Sequence, residues 1–169
     1  MAERKTRQVF EKGHTRKFMV IVDGTPESEV SLYFAARVAK RTKGSLVLFY
    51  PIEKTSLRRW VGINDAQSEI EETKAQSIFR LFRKLLSDMG FADMSTETVV
   101  RKGDPAVEII RYIEKDEDIA VLVLGASGDS EGPGPLVGAL GAGSWVGNFP
   151  IPIYIVPGTL TQDEIAHLA

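Results

Sequence analysis

The chain has no cysteine and only two histidines, His14 and His167, one near each end. Disulfide frameworks, thiolate metal sites, iron–sulfur clusters and cysteine nucleophiles are therefore excluded. A histidine-rich zinc site lacks its ligands, and a Ser-His-Asp triad would have to recruit a terminal segment. A third absence is of one sign of charge. Residues 1–115 hold all 21 Lys and Arg against 16 of the 23 acids, a surplus of five, whereas residues 116–169 hold seven acids and no base. Nothing after Lys115 can offer a side-chain cation to a phosphate. No apolar run approaches the 18 or so residues of a membrane span, and the N-terminus has no signal-peptide core, so the expected location is cytoplasmic. What remains is ordinary globular composition, 43% hydrophobic and 26% charged over 169 residues. That length fits one domain, which can bury roughly 70% of its unfolded surface without a metal or disulfide staple.

Residues 1–16 are polar and basic and read as an extension outside the core, a solvated or loosely docked arm rather than a nucleic-acid-binding one. Phe18-Met19-Val20-Ile21-Val22 is a short continuous apolar run, as in a strand buried on both faces. Asp23-Gly24-Thr25-Pro26 ends it, with Thr25 as a helix N-cap, Pro26 at the first helical position and Glu27 complementing the dipole. The helix is expected to reach about Lys43, closed by Gly44. Leu46 to Tyr50 makes a second strand, stopped by Pro51. An irregular connection containing Trp60 leads to a long helix from about Asp65 to Met89. Ile70, Ile78, Leu81, Phe82, Leu85 and Met89 fall on one face of it, and Gly90 follows its end. The third strand is Ser95 to Arg101. Asp104-Pro105 opens a third helix lined by Ala106, Ile109, Ile110 and Ile113. Ile119 to Leu124 is a fourth strand and Ile151 to Val156 a fifth, with a Gly-rich stretch from Gly125 to Gly147 between them. Pro150 and Pro152 place the fifth strand at a sheet edge. Strands alternating with helices give a single doubly wound α/β domain, a parallel sheet with helices on both faces. The domain spans residues 17–158, followed by a tail, 159–169.

Ligands of such sheets bind outside the carboxyl ends of the strands, where strand order reverses. Asp23 follows the first strand and Gly125 the fourth. Asp23 can accept hydrogen bonds from a base or ribose, or it can be a turn acid that organises the next helix. Six glycines between 125 and 141 can form a surface loop, or can let backbone amides approach a phosphate.

Three segments resemble the universal stress protein family: residues 18–28 (FMVIVDGTPES), residues 103–110 (GDPAVEII) and residues 121–128 (VLVLGASG). The resemblance covers about residues 16–158. It implies an adenine nucleotide alpha hydrolase-like fold, a five-stranded parallel sheet of order 3-2-1-4-5. ATP-binding members carry G-x2-G-x9-G-[ST] after the fourth strand. Here Gly125, Gly128 and Gly138 match that spacing, and Ala139 stands where a hydroxyl is expected. The family pattern implies that Asp23, with Gly24 and Thr25, contacts the adenine. It also implies that Tyr50 and Pro51 line its pocket and that Gly125, Gly128, Gly138 and Ala139 surround ribose and phosphates. Ser144 is a hydroxyl at the wrong spacing. Asp129 and Glu131 repel a triphosphate unless Mg²⁺ bridges them, and Arg101 or Lys102 could reach the crevice only from a neighbouring loop. The implied ligand is ATP or another adenine nucleotide, with or without Mg²⁺.

Other chemistries lack parts. There is no Walker A loop and no dinucleotide fingerprint, and no nucleophile sits beside a histidine base, so no catalytic residue and no metal ligand is assigned. Any ATP hydrolysis would be slow. Glu69, Glu71 and Glu72 read as a solvated helix face, and Trp60 and Trp145 as packing anchors. Ile151, Ile153 and Ile155 form an apolar edge that invites another chain, and the family resemblance implies a homodimer through that strand. Two functions follow: a stress-response regulator that binds an adenine nucleotide, or a family member without nucleotide that acts as a dimeric interaction module. Membrane and nucleic-acid partners are not expected.

Overall fold

Apolar residues that alternate perfectly in their destination organise the molecule. In the computed structural model, which describes residues 4–54 and 64–169, Phe18, Val20 and Val22 face one side of the sheet and Met19 and Ile21 the other. The five strands are β1 (Lys17–Ile21), β2 (Ser45–Glu53), β3 (Thr96–Gly103), β4 (Ile119–Ala126) and β5 (Ile153–Pro157). They pair in parallel in the order β3-β2-β1-β4-β5. A continuous apolar run is what a strand needs when both of its faces are covered.

Helices α1 (Pro26–Arg41) and α2 (Asn64–Asp88) cover one face, joined by the C-terminal α4 (Gln162–Leu168), which packs on α1. Helix α3 (Pro105–Lys115) covers the other. Thr25 caps α1, its hydroxyl accepting from the Ser28 amide, and Asp104 caps α3 by accepting from the Val107 amide. Each is followed by proline at the first helical position, where the missing N–H costs nothing. Ala35, Ala36 and Ala39 let α1 lie close against the sheet, and Phe79 and Phe82 fill the space under α2. Complete burial of each such phenylalanine stabilises the fold by about 1.5–3 kcal/mol.

Several expectations change. Strand β2 does not stop at Pro51 but continues to Glu53, with Pro51 in register with Arg101. The reason is parity. The Ser45 amide donates toward β1, to the Arg16 carbonyl, and the Leu46 amide toward β3, to the Ser95 carbonyl. Odd-numbered nitrogens of β2 therefore face β1, whose last register partner is Phe49. The nitrogen of Pro51 points past the end of β1, where no ladder bond is lost. Helix α1 ends at Arg41, and the left-handed residue after it is Lys43 (φ 54°), not Gly44. Gly44 is required for another reason: a Cβ there would sit 2.6 Å from the Arg16 carbonyl oxygen. The buried stripe of α2 is Ala75, Ile78, Phe79, Phe82 and Leu86, while Ile70 and Leu81 are exposed. Trp60 lies outside the described residues.

The β4–β5 crossover holds only a short helical turn, begun at Pro135 and tied by the Gly138 amide to the Gly134 carbonyl. It contains a π-turn (Val137–Gly141) and a 3₁₀ turn (Val146–Asn148). Five glycines between 134 and 148, each costing about 1 kcal/mol against alanine in a helix, account for this. Val137, Leu140, Phe149 and Ile151 nonetheless seal this part of the second core. No helix among the described residues is long and apolar enough to cross a membrane.

Candidate functional site

Strand β1 has β2 on one side and β4 on the other, so strand order reverses between the carboxyl ends of β1 and β4. Asp23 and Gly125 flank that point and line one crevice together with Thr25, Glu27 and Ser28. Residues 133–137 close it from the crossover side, leaving about 140 Å³. Ligand pockets for small molecules run from about 300 to 1,000 Å³, and a cavity of about 150 Å³ holds a benzene ring. The crevice is open on one side, and the space that residues 133–137 leave in it is smaller than an enclosed nucleotide pocket.

Asp23 does organise the turn. Its Oδ1 accepts from the Thr25 amide at 2.9 Å and from the Thr25 hydroxyl at 2.6 Å. The Thr25 Oγ1 accepts in turn from the Ser28 amide, and the Ser28 hydroxyl donates to the Thr25 carbonyl. Asp23 is exposed, and among the described residues its Oδ2 has no hydrogen bond. One oxygen thus holds the cap while the other remains an acceptor at the crevice mouth.

The three motif glycines have three different surroundings. A Cβ on Gly125 would lie 2.2 Å from the Glu27 carbonyl oxygen, so this glycine lets β4 and the start of α1 approach. One on Gly128 would lie 2.5 Å from Cγ2 of Thr159. At Gly138 nothing among the described residues lies within 4 Å, and no packing requirement there explains the missing side chain. Gly138 and the exposed Ala139 belong to the π-turn and do not line the crevice. Between these glycines the loop folds on itself. The Ser127 amide donates to the Pro133 carbonyl, the Asp129 amide to the Ser127 hydroxyl, and Gly132 and Gly134 take φ of 107° and 100°.

The adenine-pocket candidates on β2 sit elsewhere. Tyr50 is buried and meets Phe79 edge-on at 6.4 Å, and burial, then the charges of Glu71 and Asp23, push its hydroxyl above the ordinary range. Neither Tyr50 nor Pro51 lines the crevice, and Gly24 faces Ile78 of α2 instead. No Lys or Arg among the described residues lines it either. Lys102 is held by Glu72 and Ser68, and Arg101 lies over the Tyr112 ring, 5.3 Å from its centroid. Ser144 is exposed in the crossover, away from the crevice lining. No group of three or more acids or histidines among the described residues is placed to hold a metal ion. The sequence reading missed Glu27, which it took only as a complement to the helix dipole, and Ser28, to which it gave no role.

At the sheet edge, Tyr154 and Ile155 are exposed, with Trp145 and Val146 exposed in the adjoining crossover. Ile153 is half-buried. Ile151 is not part of the edge: it precedes β5 and is buried in the second core.

The fold agrees with what comparison finds. The universal stress protein family profile matches residues 14–157. The chain belongs to the universal stress protein family. Solved structures of similar fold include the universal stress protein UspA of Lactobacillus plantarum. It is 19% identical, and the match covers 83% of this chain and 97% of that one at a TM-score of 0.62. A universal stress protein family protein of Arabidopsis thaliana with AMP bound is 15% identical over 84% of this chain and 91% of its own, with a TM-score of 0.56. The Archaeoglobus fulgidus universal stress protein in complex with dAMP is 16% identical over 83% and 97%, also at 0.56. A search of curated proteins finds no match.

Proposed function

We propose that this universal stress protein is a stress-response regulator that binds an adenine nucleotide between the ends of β1 and β4. The observation that carries the reading is Asp23, whose Oδ2 is uncommitted at the mouth of the switch-point crevice. The open space at Gly138 supports it, as do the AMP and dAMP bound by proteins of the same fold. Residues 133–137 move to admit the ligand, and the nucleotide acts as a regulatory ligand rather than a substrate. The lining acids Asp23 and Glu27, the loop acids Asp129 and Glu131, and Ala139 in place of a hydroxyl all disfavour a triphosphate. AMP therefore binds more tightly than ATP, and Mg²⁺ narrows the difference.

The test is calorimetric titration of nucleotide-stripped protein with AMP, ADP and Mg-ATP, repeated on Asp23→Ala and Ala139→Ser. The expected result is one saturable site per chain, weakened by Asp23→Ala, with ATP binding strengthened by Ala139→Ser. Equal affinities in all three proteins refute the site assignment. No heat up to millimolar nucleotide refutes the reading as a whole.

A second reading, a dimeric interaction module, is favoured by a separate observation. Residues 132–162, 31 in succession, carry no charged side chain, and they contain β5 together with Trp145 and Val146. Interface cores are depleted of charge, and edge strands that avoid pairing are guarded by it. The opposite edge, β3, carries Glu97, Arg101 and Lys102. Self-association through β5 is compatible with either reading.

A further inference from the structure

We propose that residues 7–14 form a releasable strap, latched by Arg7 to the C-terminal end of α3 beside a pocket at the amino ends of the strands. The last carbonyls of a helix lack intrahelical partners and carry its negative dipole end. Arg7 Nη1 donates to two carbonyls there, of Ile113 at 2.8 Å and Asp116 at 3.0 Å, and shares a longer contact, 3.4 Å, with the carbonyl of Ile119 at the start of β4. The Gln8 amide donates to the Glu117 carbonyl, and His14 Nδ1 lies 2.6 Å from Asp118 Oδ1. These contacts join positions more than 100 residues apart, so the basic arm is docked rather than solvated.

The hydrogen bonds that dock it are few, and of its two large apolar residues only Val9 is half-buried. Between Gln8 and His14 the strap makes only its own two turns, Glu11 amide to Gln8 carbonyl and His14 amide to Glu11 carbonyl. Phe10 at its tip is 87% exposed and anchors nothing. The latch is also incompletely satisfied. Among the described residues, Nε and Nη2 of Arg7 are buried without a partner, so docking gives up water bonds that these residues do not replace. A segment held by one under-satisfied guanidinium and exposed polar contacts belongs to the low-stability end of a fold and opens without unfolding the core.

The strap ends beside an open pocket. Gly13 of the strap lines it together with Lys17 of β1, Lys40, Glu97 and Asp118, and its volume with the strap docked is about 490 Å³. It lies at the end of the sheet opposite the β1/β4 crevice, is larger than that crevice and falls within the ligand-sized range.

Amide hydrogen exchange on the full chain tests the strap, with wild type, Arg7→Ala and Arg7→Lys compared and tryptic cleavage after Lys12 as a second readout. In wild type the Gln8 amide is protected but exchanges at least tenfold faster than Val20 and Leu122 in the central strands. Arg7→Ala raises Gln8 exchange a further tenfold or more and speeds cleavage after Lys12, while the Val20 and Leu122 amides stay unchanged. Arg7→Lys, which keeps the charge and loses the fork, falls between. Gln8 exchange at the unstructured rate in wild type overturns the docking. Gln8 exchange as slow as the core, or loss of core protection in Arg7→Ala, overturns the release, because the arm then belongs to the cooperative unit. No change in either variant overturns the latch.

Discussion

Gly125 and Gly138 stand in one sequence motif, yet alanine should affect them in opposite ways. A Cβ on Gly125 falls 2.2 Å from the Glu27 carbonyl oxygen, 2.6 Å from its carbon and 3.1 Å from the Ser28 nitrogen. All three are backbone atoms at the capped start of α1, so no rotamer change relieves the contact. The strand and the helix must separate, and overpacking of this kind costs about 1–3 kcal/mol, the upper part of that range applying where backbone has to move. For a chain of this size, 2–3 kcal/mol lowers Tm by roughly 4–12 °C. At Gly138 a Cβ meets nothing within 4 Å among the described residues, and the backbone is not in the left-handed region. Gly138→Ala therefore removes unfolded-state entropy without a clash and stabilises by about 0.4–1 kcal/mol. If Gly138 leaves room for a ligand, the same variant also weakens AMP binding. Urea denaturation of both variants, with AMP titrations on Gly138→Ala, measures all three effects. A Gly125→Ala protein as stable as wild type, or a Gly138→Ala protein less stable by 1 kcal/mol or more, refutes this division between packing and ligand space.

Three more outcomes follow from individual contacts. Lys17 bridges Asp116 and Glu97 at 2.8 Å each; burial alone would lower its basicity, but those two carboxylates hold its ammonium above the ordinary lysine value. Burial also raises the hydroxyls of Tyr50 and Tyr112. In each case the folded state keeps its proton to higher pH, so stability is full below the unfolded values and falls as pH rises above roughly 10; Lys17→Met should flatten that fall in urea titrations, and an unchanged slope counts against the bridge. Thr161 and Glu164 form a capping box at the start of α4, so Thr161→Ala should cost about 1 kcal/mol, seen as a Tm lower by roughly 2–4 °C. Ile155 is 42% exposed on the β5 edge, and Ile155→Lys places a guarding charge there; sedimentation should show a wild-type dimer become monomeric, and a variant that still dimerises would exclude the edge.

Local chemistry made the elements legible. Thr25-Pro26 and Asp104-Pro105 announce helix starts because a cap and a preset φ act within three residues. The continuous apolar runs identified strands buried on both sides. Pro51 misled because a proline's effect in a strand depends on which neighbour its nitrogen faces, and that parity is fixed only when β1 and β3 are in place. Ile70 and Leu81 misled because hydrophobicity alone does not select among overlapping helical stripes; the phenylalanines at 79 and 82 decide which side of α2 turns inward. The site was legible as a location, through Asp23 and Gly125, but not as a volume. Residues 133–137 reach the crevice through the path of the crossover, which no short-range pattern encodes.

One compositional feature links the crevice to the edge. A helical crossover from β4 to β5 would present free amides and a positive dipole end to an anion. Five glycines between 134 and 148 cut that helix to a short helical turn over residues 135–141. A phosphate at this end of the sheet would meet that short turn and loop amides and, among the described residues, no lining cation. The same shortening leaves Trp145 and Val146 uncovered next to the strand edge. Gly141 completes the link: a Cβ there would sit 2.6 Å from Cδ1 of Ile155, so its absence lets that edge side chain lie against the turn. A ligand that moves residues 133–137 pulls on the chain entering the π-turn, and the π-turn touches Ile155. Binding in the crevice and pairing at β5 are therefore mechanically adjacent, through about eight residues of one loop. Dimer dissociation measured with and without AMP reads that coupling directly. Equal constants would mean that Leu140, buried in the core, holds the turn still while the loop before it moves.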